Sequence, residues 1–147
     1  MSGELLTAPH TVRGSYATTD QGVDITPETD LYCLSHPPFI TVVKEPAGVL
    51  DGLTPPDGLV ADWNRNIPDS SIPRTWNKVK YEERYKEFLS RDEKARNDIF
   101  KVKMLSQIKT ICLVCSCHQW NYCIRRLVYE YITEGNDMDD DEKALFA

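Results

Sequence analysis

The side chains best suited to chemistry lie close together near the end of the chain. They are Cys115, Cys117, His118, Cys123 and Arg125. Thiolates and imidazole bind metals, a thiolate can act as a nucleophile, and a guanidinium binds anions. The residue types alone leave these three uses open.

Metal binding is the use for which the chain lacks the most residues. Structural zinc sites usually have four soft ligands in a tetrahedron, with two to four residues between paired cysteines. Cys115 and Cys117 are separated by one residue, and the chain has no second closely spaced cysteine pair outside this region, where Cys33 and His36 are the nearest equivalent. We therefore predict no metal ligands and no cofactor, and keep a structural metal-binding module as an alternative.

A reactive thiolate is the second use. Cys123 lies at the predicted start of a helix beside Arg125, and helix N-termini and nearby cations lower the pKa of a thiol. The alternative that follows is an enzyme in which Cys123 or Cys115 is the nucleophile. His118 is the candidate base within the turn.

Anion binding is the third use, and it requires no reaction. The N–H groups at a helix start, together with an arginine, form a site for phosphate or carboxylate. Our principal hypothesis is that the turn from Cys115 to Arg125 binds a small anionic ligand. Within the turn, Cys117, His118 and Arg125 are the predicted ligand-binding residues.

The elements around this turn have clear patterns. Residues 110–115 form a continuous apolar run, which is typical of an interior strand covered on both faces. From Cys123 the apolar residues recur at helical spacing, and Gly135 is placed to end the helix. A strand, loop and helix in this order indicate an open α/β sheet, in which ligands bind beyond the carboxyl ends of the strands.

The rest of the chain predicts further strands and helices. Strands are expected at Leu5–Leu6 and Phe39–Val43, with a short strand or turn at Val23–Thr26. Predicted helices span residues 57–66, 75–88 with Thr75 as the cap, and 93–108. We predict one α/β domain over residues 1–134 and a flexible acidic tail over residues 135–147.

The charge and composition of the chain indicate which classes of partner to expect. The chain has 147 residues and a net charge of -6, which disfavours nucleic acid as a partner without excluding it. No apolar stretch is long enough for a membrane span, and the first residues do not form a secretory signal. Together with crowded, odd-numbered cysteines, this predicts a cytoplasmic protein with no membrane partner. The oligomeric state cannot be predicted.

Four segments, in chain order, resemble the family named domain of unknown function 488, especially its compact bacterial and phage branch. They are Leu6-Thr7-Ala8 with Val23-Asp24-Ile25-Thr26 ("DIT"), Leu53-Thr54-Pro55-Pro56 with Leu59-Val60 ("FAP-x-x-x-x-V"), Tyr81-Glu82-Glu83-Arg84-Tyr85 ("EY-x-x-x-Y"), and Leu113-Val114-Cys115-Ser116-Cys117 with Cys123-Ile124-Arg125 ("LVC-x-C … CHR"). Residues 28–50 have no counterpart and are interpreted as an insertion.

The resemblance implies a single three-layer, Rossmann-like α/β domain with a mostly parallel sheet, and no agreed activity. Relatives in phage and near defence or DNA-modification genes suggest nucleotides or nucleic acid as ligands. The resemblance therefore implies a nucleotide-like ligand or, as the alternative, an enzyme acting on a nucleotide or nucleic-acid base, with Asp24 as a further candidate acid or base. It also adds Arg13 and Asp24 to the predicted ligand-binding residues, because Asp24 matches the family's aspartate and Arg13 approximates an arginine of its opening loop. Ile124 stands where the family has histidine, which favours a binding protein over an enzyme. Cys115, Cys117, Cys123 and Arg125 match the family signature.

Overall fold

The computed structural model describes residues 3–9, 19–34, 47–115 and 119–134. The described part contains one parallel sheet and five α-helices. The strands are β1 (Leu5–Pro9), β2 (Asp30–Cys33), β3 (Gly48–Val49) and β4 (Ile111–Cys115). The helices are α1 (Asp57–Asn66), α2 (Ile72–Lys78), α3 (Tyr81–Arg91), α4 (Glu93–Ile108) and α5 (Ile124–Thr133).

The last strand of the chain lies in the interior of the sheet. The strand order is β1-β4-β2-β3, and every pair is parallel. All residues of β4 are buried, as its continuous apolar run predicted. The predicted α/β class with a mostly parallel sheet is therefore confirmed.

The two faces of the sheet belong to different cores, because alternate side chains of a strand point to opposite faces. We call the larger one the helix-side core. It contains Ile111, Leu113 and Cys115 of β4 together with buried residues from every helix. The smaller core contains Cys112 and Val114 with residues of β1 and β2. Within the described ranges it contains no helical residue, so the third layer expected from the resemblance is not represented there.

Several predicted elements are confirmed. Helix α4 spans the predicted residues, and the side chain of Asp92 caps it by accepting a 3.0 Å hydrogen bond from the Ala95 amide. Helix α1 ends at Asn66 as its sequence indicated. Helix α5 begins directly after Cys123, with its apolar stripe in the helix-side core.

The single helix predicted from Thr75 to Phe88 is wrong. Two helices, α2 and α3, meet at Lys80, which adopts the left-handed conformation with φ 56° and ψ 48°. Ser71 caps α2, and Thr75 lies inside it with its hydroxyl donating to the Ser71 carbonyl at 2.8 Å. The aromatic residues Trp76, Tyr81, Tyr85 and Phe88 keep a helix-like spacing across the break, so the sequence predicts one continuous helix.

Residues 28–50, which we interpreted as an insertion, contribute to the sheet. This stretch contains β2, which pairs with β4 through Leu31 and Tyr32, and β3 beside it. Val23–Thr26 is irregular apart from a single bridge residue at Asp24, with turns at residues 20–21 and 27–28. The predicted strand Phe39–Val43, the stop residue Gly135 and the tail 135–147 lie outside the described residues.

Among the helices described, none has the length and apolar character needed to cross a membrane.

Candidate functional site

The turn between β4 and α5 positions two thiols. Cys115 is the last residue of β4 and Cys123 is the N-cap of α5, with a short 3-10 helix at Trp120–Tyr122 between them. The two cysteines are 3% and 1% exposed. Both lie in the helix-side core. An interior strand thus ends close to a helix start, which is the arrangement that the sequence predicted.

Arg125 lies in the first turn of α5 and is almost entirely buried. Its side chain is 1% exposed and forms an ion pair with Asp20, which is 15% exposed. Nε donates to Asp20 Oδ2 at 2.8 Å, and Nη2 approaches Oδ1 at 3.4 Å. This two-point contact fixes the plane of the guanidinium.

Asp20 is held in turn by β1. The Thr7 hydroxyl donates to Asp20 Oδ2 at 2.7 Å, and the Asp20 amide donates to the Thr7 carbonyl at 2.8 Å. Gln21 completes the contact, since its side-chain carbonyl accepts from the Thr7 amide at 2.8 Å and its amide donates to the Thr7 hydroxyl at 3.0 Å. The network joins the first strand to the start of the last helix.

The electrostatics keep Arg125 charged. Burial lowers the pKa of Arg125, but hydrogen bonds and charge interactions with Asp20 and Cys123 outweigh it, so the pKa stays above its ordinary value. The Cys123 sulfur is therefore within hydrogen-bonding contact of the guanidinium. A cation beside a thiol at a helix N-terminus favours the thiolate.

Tyr85 of α3 lies under the same turn. It is fully buried and its hydroxyl donates to the Leu53 carbonyl at 2.6 Å. Burial raises the pKa of Tyr85 well above its ordinary value, and charge on Tyr81, Cys115 and Cys123 acts in the same direction. Both thiols are thus close enough to influence one phenol.

Two further contacts shape the turn. The guanidinium of Arg125 lies over the ring of Trp120, 5.9 Å from the ring centroid.

Arg126 turns away from Asp20 and binds two other carboxylates, with Nη1 at 2.9 Å from Glu130 and Nη2 at 2.5 Å from Glu82. The adjacent arginines therefore have separate acidic partners.

Asp24 is the one other predicted site residue that the structure describes, and it lies away from this turn. Asp24 is exposed and lines a cavity of about 430 Å³ with Glu4 and Thr110, which directly precede β1 and β4. It therefore lies at the amino ends of the strands, opposite the end of β4 that carries Cys115. Arg13, Cys117 and His118 lie outside the described residues.

A comparison with models of protein families identifies the family of this chain. The family model described as "DUF488-N3a: Active DUF488-N3 subclade" matches residues 44–136. The chain belongs to this family. The DUF488-N3a match includes β3, all five helices and the whole β4–α5 turn, while β1, β2 and Asp20 precede it. No curated protein and no solved structure matches the chain.

The metal alternative gains no support from this DUF488-N3a structure. In the described segments, no group of three or more His, Cys, Asp or Glu side chains is arranged to hold a metal ion. Cys112 and Cys115, for example, lie on opposite faces of β4 and in different cores, so their side chains do not point toward a common metal ion.

Sequence reasoning missed two residues of the site. Asp20 is separated from Arg125 by 105 positions, so no local pattern links them. Trp120 lies in the loop between the predicted strand and helix, where periodicity gives no information. Aromatic character between two cysteines was the one signal that could have identified Trp120.

Proposed function

We propose that this DUF488-N3a protein binds a small anionic ligand, a nucleotide or another phosphate-bearing compound, at the β4–α5 turn. The observation that carries the proposal is the composition of the α5 N-terminus. Its first turn contains Arg125 and Arg126 and no acidic residue, and the N-cap Cys123 makes no side-chain capping hydrogen bond. Most helices begin with a capping oxygen or an acidic side chain.

The position of this helix start also supports a ligand site. Helix α5 follows β4, an interior strand of a parallel sheet, and such sheets bind ligands beyond the carboxyl ends of their strands. The helix dipole adds positive potential at the same place.

Arg125 serves in this proposal as a fixed positive charge. Its 1% exposure and its ion pair with Asp20 prevent it from swinging out to meet a ligand. A guanidinium fixed in a site of low dielectric still acts on a nearby anion. Asp20 and Thr7 then hold that charge in one orientation, and the ligand binds at the helix start.

A titration locates the site without any substitution. Amide shifts of residues 119–126 are followed by NMR as inorganic phosphate or a nucleoside monophosphate is added, with α4 amides as the internal control. We expect saturable shifts in residues 119–126 and a rise in melting temperature. If these amides do not move with any of the phosphates, the proposed function is wrong.

Two arginine variants separate a specific charge from general positive potential. Arg125→Gln should weaken phosphate binding at least tenfold, because it removes the cation nearest to Cys123. Arg126→Gln makes the same charge change in the same turn, but two carboxylates, Glu82 and Glu130, offset the charge of Arg126, whereas one, Asp20, is paired with Arg125 in the described residues. We therefore expect less than a threefold effect. The double variant Asp20→Asn/Arg125→Gln keeps the pair neutral, and its binding should fall as in Arg125→Gln.

Catalysis by Cys123 is the second candidate function. The contact between Cys123 and Arg125 favours it, and so does the family description as an active subclade. Alkylation of each cysteine by iodoacetamide against pH tests it. We expect the midpoint of Cys123 to be lower in the native protein than in Arg125→Gln, because the guanidinium stabilises the thiolate. Cys112 is the control, because burial raises its pKa to about 12. A Cys123 midpoint that is the same in both proteins would exclude this thiol as the activated nucleophile.

The number and spacing of the cysteines also bear on location. Five cysteines, four of them crowded between Cys112 and Cys123, make a poor disulfide framework and are typical of a reducing compartment. We therefore propose that the protein acts in the cytoplasm.

A further inference from the structure

Trp120 is a partly exposed aromatic ring fixed at the β4–α5 turn. It begins the short 3-10 helix that leads into Cys123 and α5. The ring of Tyr129 packs against it at 5.8 Å and 65°, and the guanidinium of Arg125 lies 5.9 Å from its centroid. Contacts from two residues of α5 therefore set the orientation of a ring that still reaches solvent.

A ring held in this way is suited to stacking. A fixed aromatic side chain loses little conformational freedom when a planar group binds against it. Stacking on an aromatic side chain accepts any nucleobase, because every base has a π-face, and a nearby arginine adds a cation–π contribution. Tyr122 in the same turn is less suited, since its ring packs against Trp76 at 5.7 Å on the helix-side core.

We infer that the ligand bound at this turn is a nucleotide whose base stacks on Trp120 while its phosphate lies at the N-terminus of α5. This inference rests on the proposed function and specifies its ligand class. Trp120 precedes the N-cap of α5 by three residues, and the Arg125 guanidinium of the first turn lies 5.9 Å from its ring centroid, so we expect a base and a phosphate joined by one ribose to reach both. A sugar phosphate or inorganic phosphate reaches only the helix start.

Calorimetric titration with matched ligands tests the inference. The ligands are AMP, CMP, ribose 5-phosphate and inorganic phosphate, which share the anion and differ in the base. We expect both nucleotides to bind at least tenfold more tightly than ribose 5-phosphate. Trp120→Ala should reduce nucleotide affinity to that of ribose 5-phosphate and leave ribose 5-phosphate unchanged, whereas Trp120→Phe should retain most of the difference.

Two further variants control for packing. Trp120→Leu keeps apolar bulk and removes the π-face, so it should behave as Trp120→Ala does even if the alanine variant is unstable. Trp63→Ala removes another partly buried tryptophan, one that packs against Trp76 and Tyr81, and should leave the preference for nucleotides intact.

The possible failures are distinguishable. If ribose 5-phosphate binds as tightly as the nucleotides, base stacking is wrong and phosphate binding stands. If Trp120→Leu weakens ribose 5-phosphate and the nucleotides equally, Trp120 only supports the fold of the turn, and the inference is again overturned. If none of the four compounds binds, the proposed function fails and the inference fails with it.

Discussion

Arg125 and Asp20 form a buried ion pair. Burying both charges requires a large free energy of dehydration, and removing one of them destabilises the fold further. The attraction in such a pair roughly offsets the loss of hydration, so the pair adds little net stability. Removing one partner leaves the other charge buried and uncompensated. A pair of this kind is more useful for fixing a geometry than for stabilising a fold, which suits a residue that must hold one charge beside Cys123.

Substituting Asp20 tests how strongly the pair is coupled. Asp20→Asn keeps the shape but removes the charge facing Arg125, and we expect the free energy of unfolding to fall by about 3 kcal/mol in urea. Asp62→Asn is the control, because Asp62 pairs with Arg84 at a surface where both side chains are about one third exposed, and its effect should be much smaller. Equal losses in the two variants would mean that the Asp20 pair is energetically an ordinary surface contact.

Asp98 provides a pH-dependent test at the same scale. Burial raises the pKa of Asp98, and the hydrogen bond from the Gly52 amide at 2.7 Å only partly opposes the increase. The folded state therefore holds the proton more tightly than the unfolded state does. The stability from this group is present at low pH and is lost as pH rises through the raised pKa.

The neutral variant Asp98→Asn keeps an acceptor for Gly52 and cannot ionise. We expect its melting temperature to exceed that of the native protein at pH 7, and the difference to disappear as the pH falls toward 3.8, the ordinary pKa of aspartate. Melting curves between pH 3 and pH 8 measure this. An advantage that is constant across the range would show that ionisation of Asp98 is not its cause.

At the scale of elements, α4 packs against the short 3-10 helix Asp51–Leu53 at a point where no side chain fits. A Cβ on Gly52 would lie 2.5 Å from the Lys94 carbonyl oxygen and 2.6 Å from Asp98 Oδ2. Backbone atoms of a regular helix cannot move aside without displacing the helix. The glycine is therefore required by the close approach of the two elements.

Two glycine-to-alanine substitutions compare a tight site with an open one. Gly52→Ala should destabilise the protein by roughly 1–3 kcal/mol through overpacking. Gly58→Ala lies in α1, where the nearest atom to the added carbon is Arg84 Nη2 at 4.0 Å, and should stabilise the protein by about 1 kcal/mol through helix propensity. Urea unfolding measures both, and a neutral Gly52→Ala would show that α4 is free to shift.

Elements with local signals could be predicted from the sequence. Asp92 and the periodic apolar residues after it define α4, and the apolar run before Cys115 defines β4. The break between α2 and α3 could not be predicted, because lysine gives no sign that Lys80 will adopt a left-handed conformation. Strand β2 was missed because it is only four residues long and its pairing with β4 is set by tertiary contacts.

The same distinction applies to the site. Cys115, Cys123 and Arg125 could be predicted as neighbours because one strand, one turn and one helix position them. Asp20 could not, since its contact with Arg125 depends on how β1 lies beside β4. Asp24 was selected through family resemblance, and the structure places it at the other end of the strands.

At the scale of the whole molecule, the sheet order predicts which hydrogen bonds open last. Strand β4 is paired on both sides and buried throughout, whereas β3 is a two-residue edge strand. In native-state hydrogen exchange, amides of β4 should exchange only through global unfolding, and their opening free energy should equal that measured in urea. Val49 should exchange faster through local opening. Equal protection of β3 and β4 would contradict this hierarchy.

The interior position of β4 also affects how the protein is made. A ribosome releases β1 and β2 first, and in the finished sheet both pair with a strand that is translated about eighty residues after β2. Until β4 emerges, the edges of β1 and β2 that will face it have no native neighbour, and folding of the sheet must wait until residues 111–115 have been translated. Nascent chains that stall before residue 111 are therefore expected to be substrates for chaperones and proteases rather than partly folded domains.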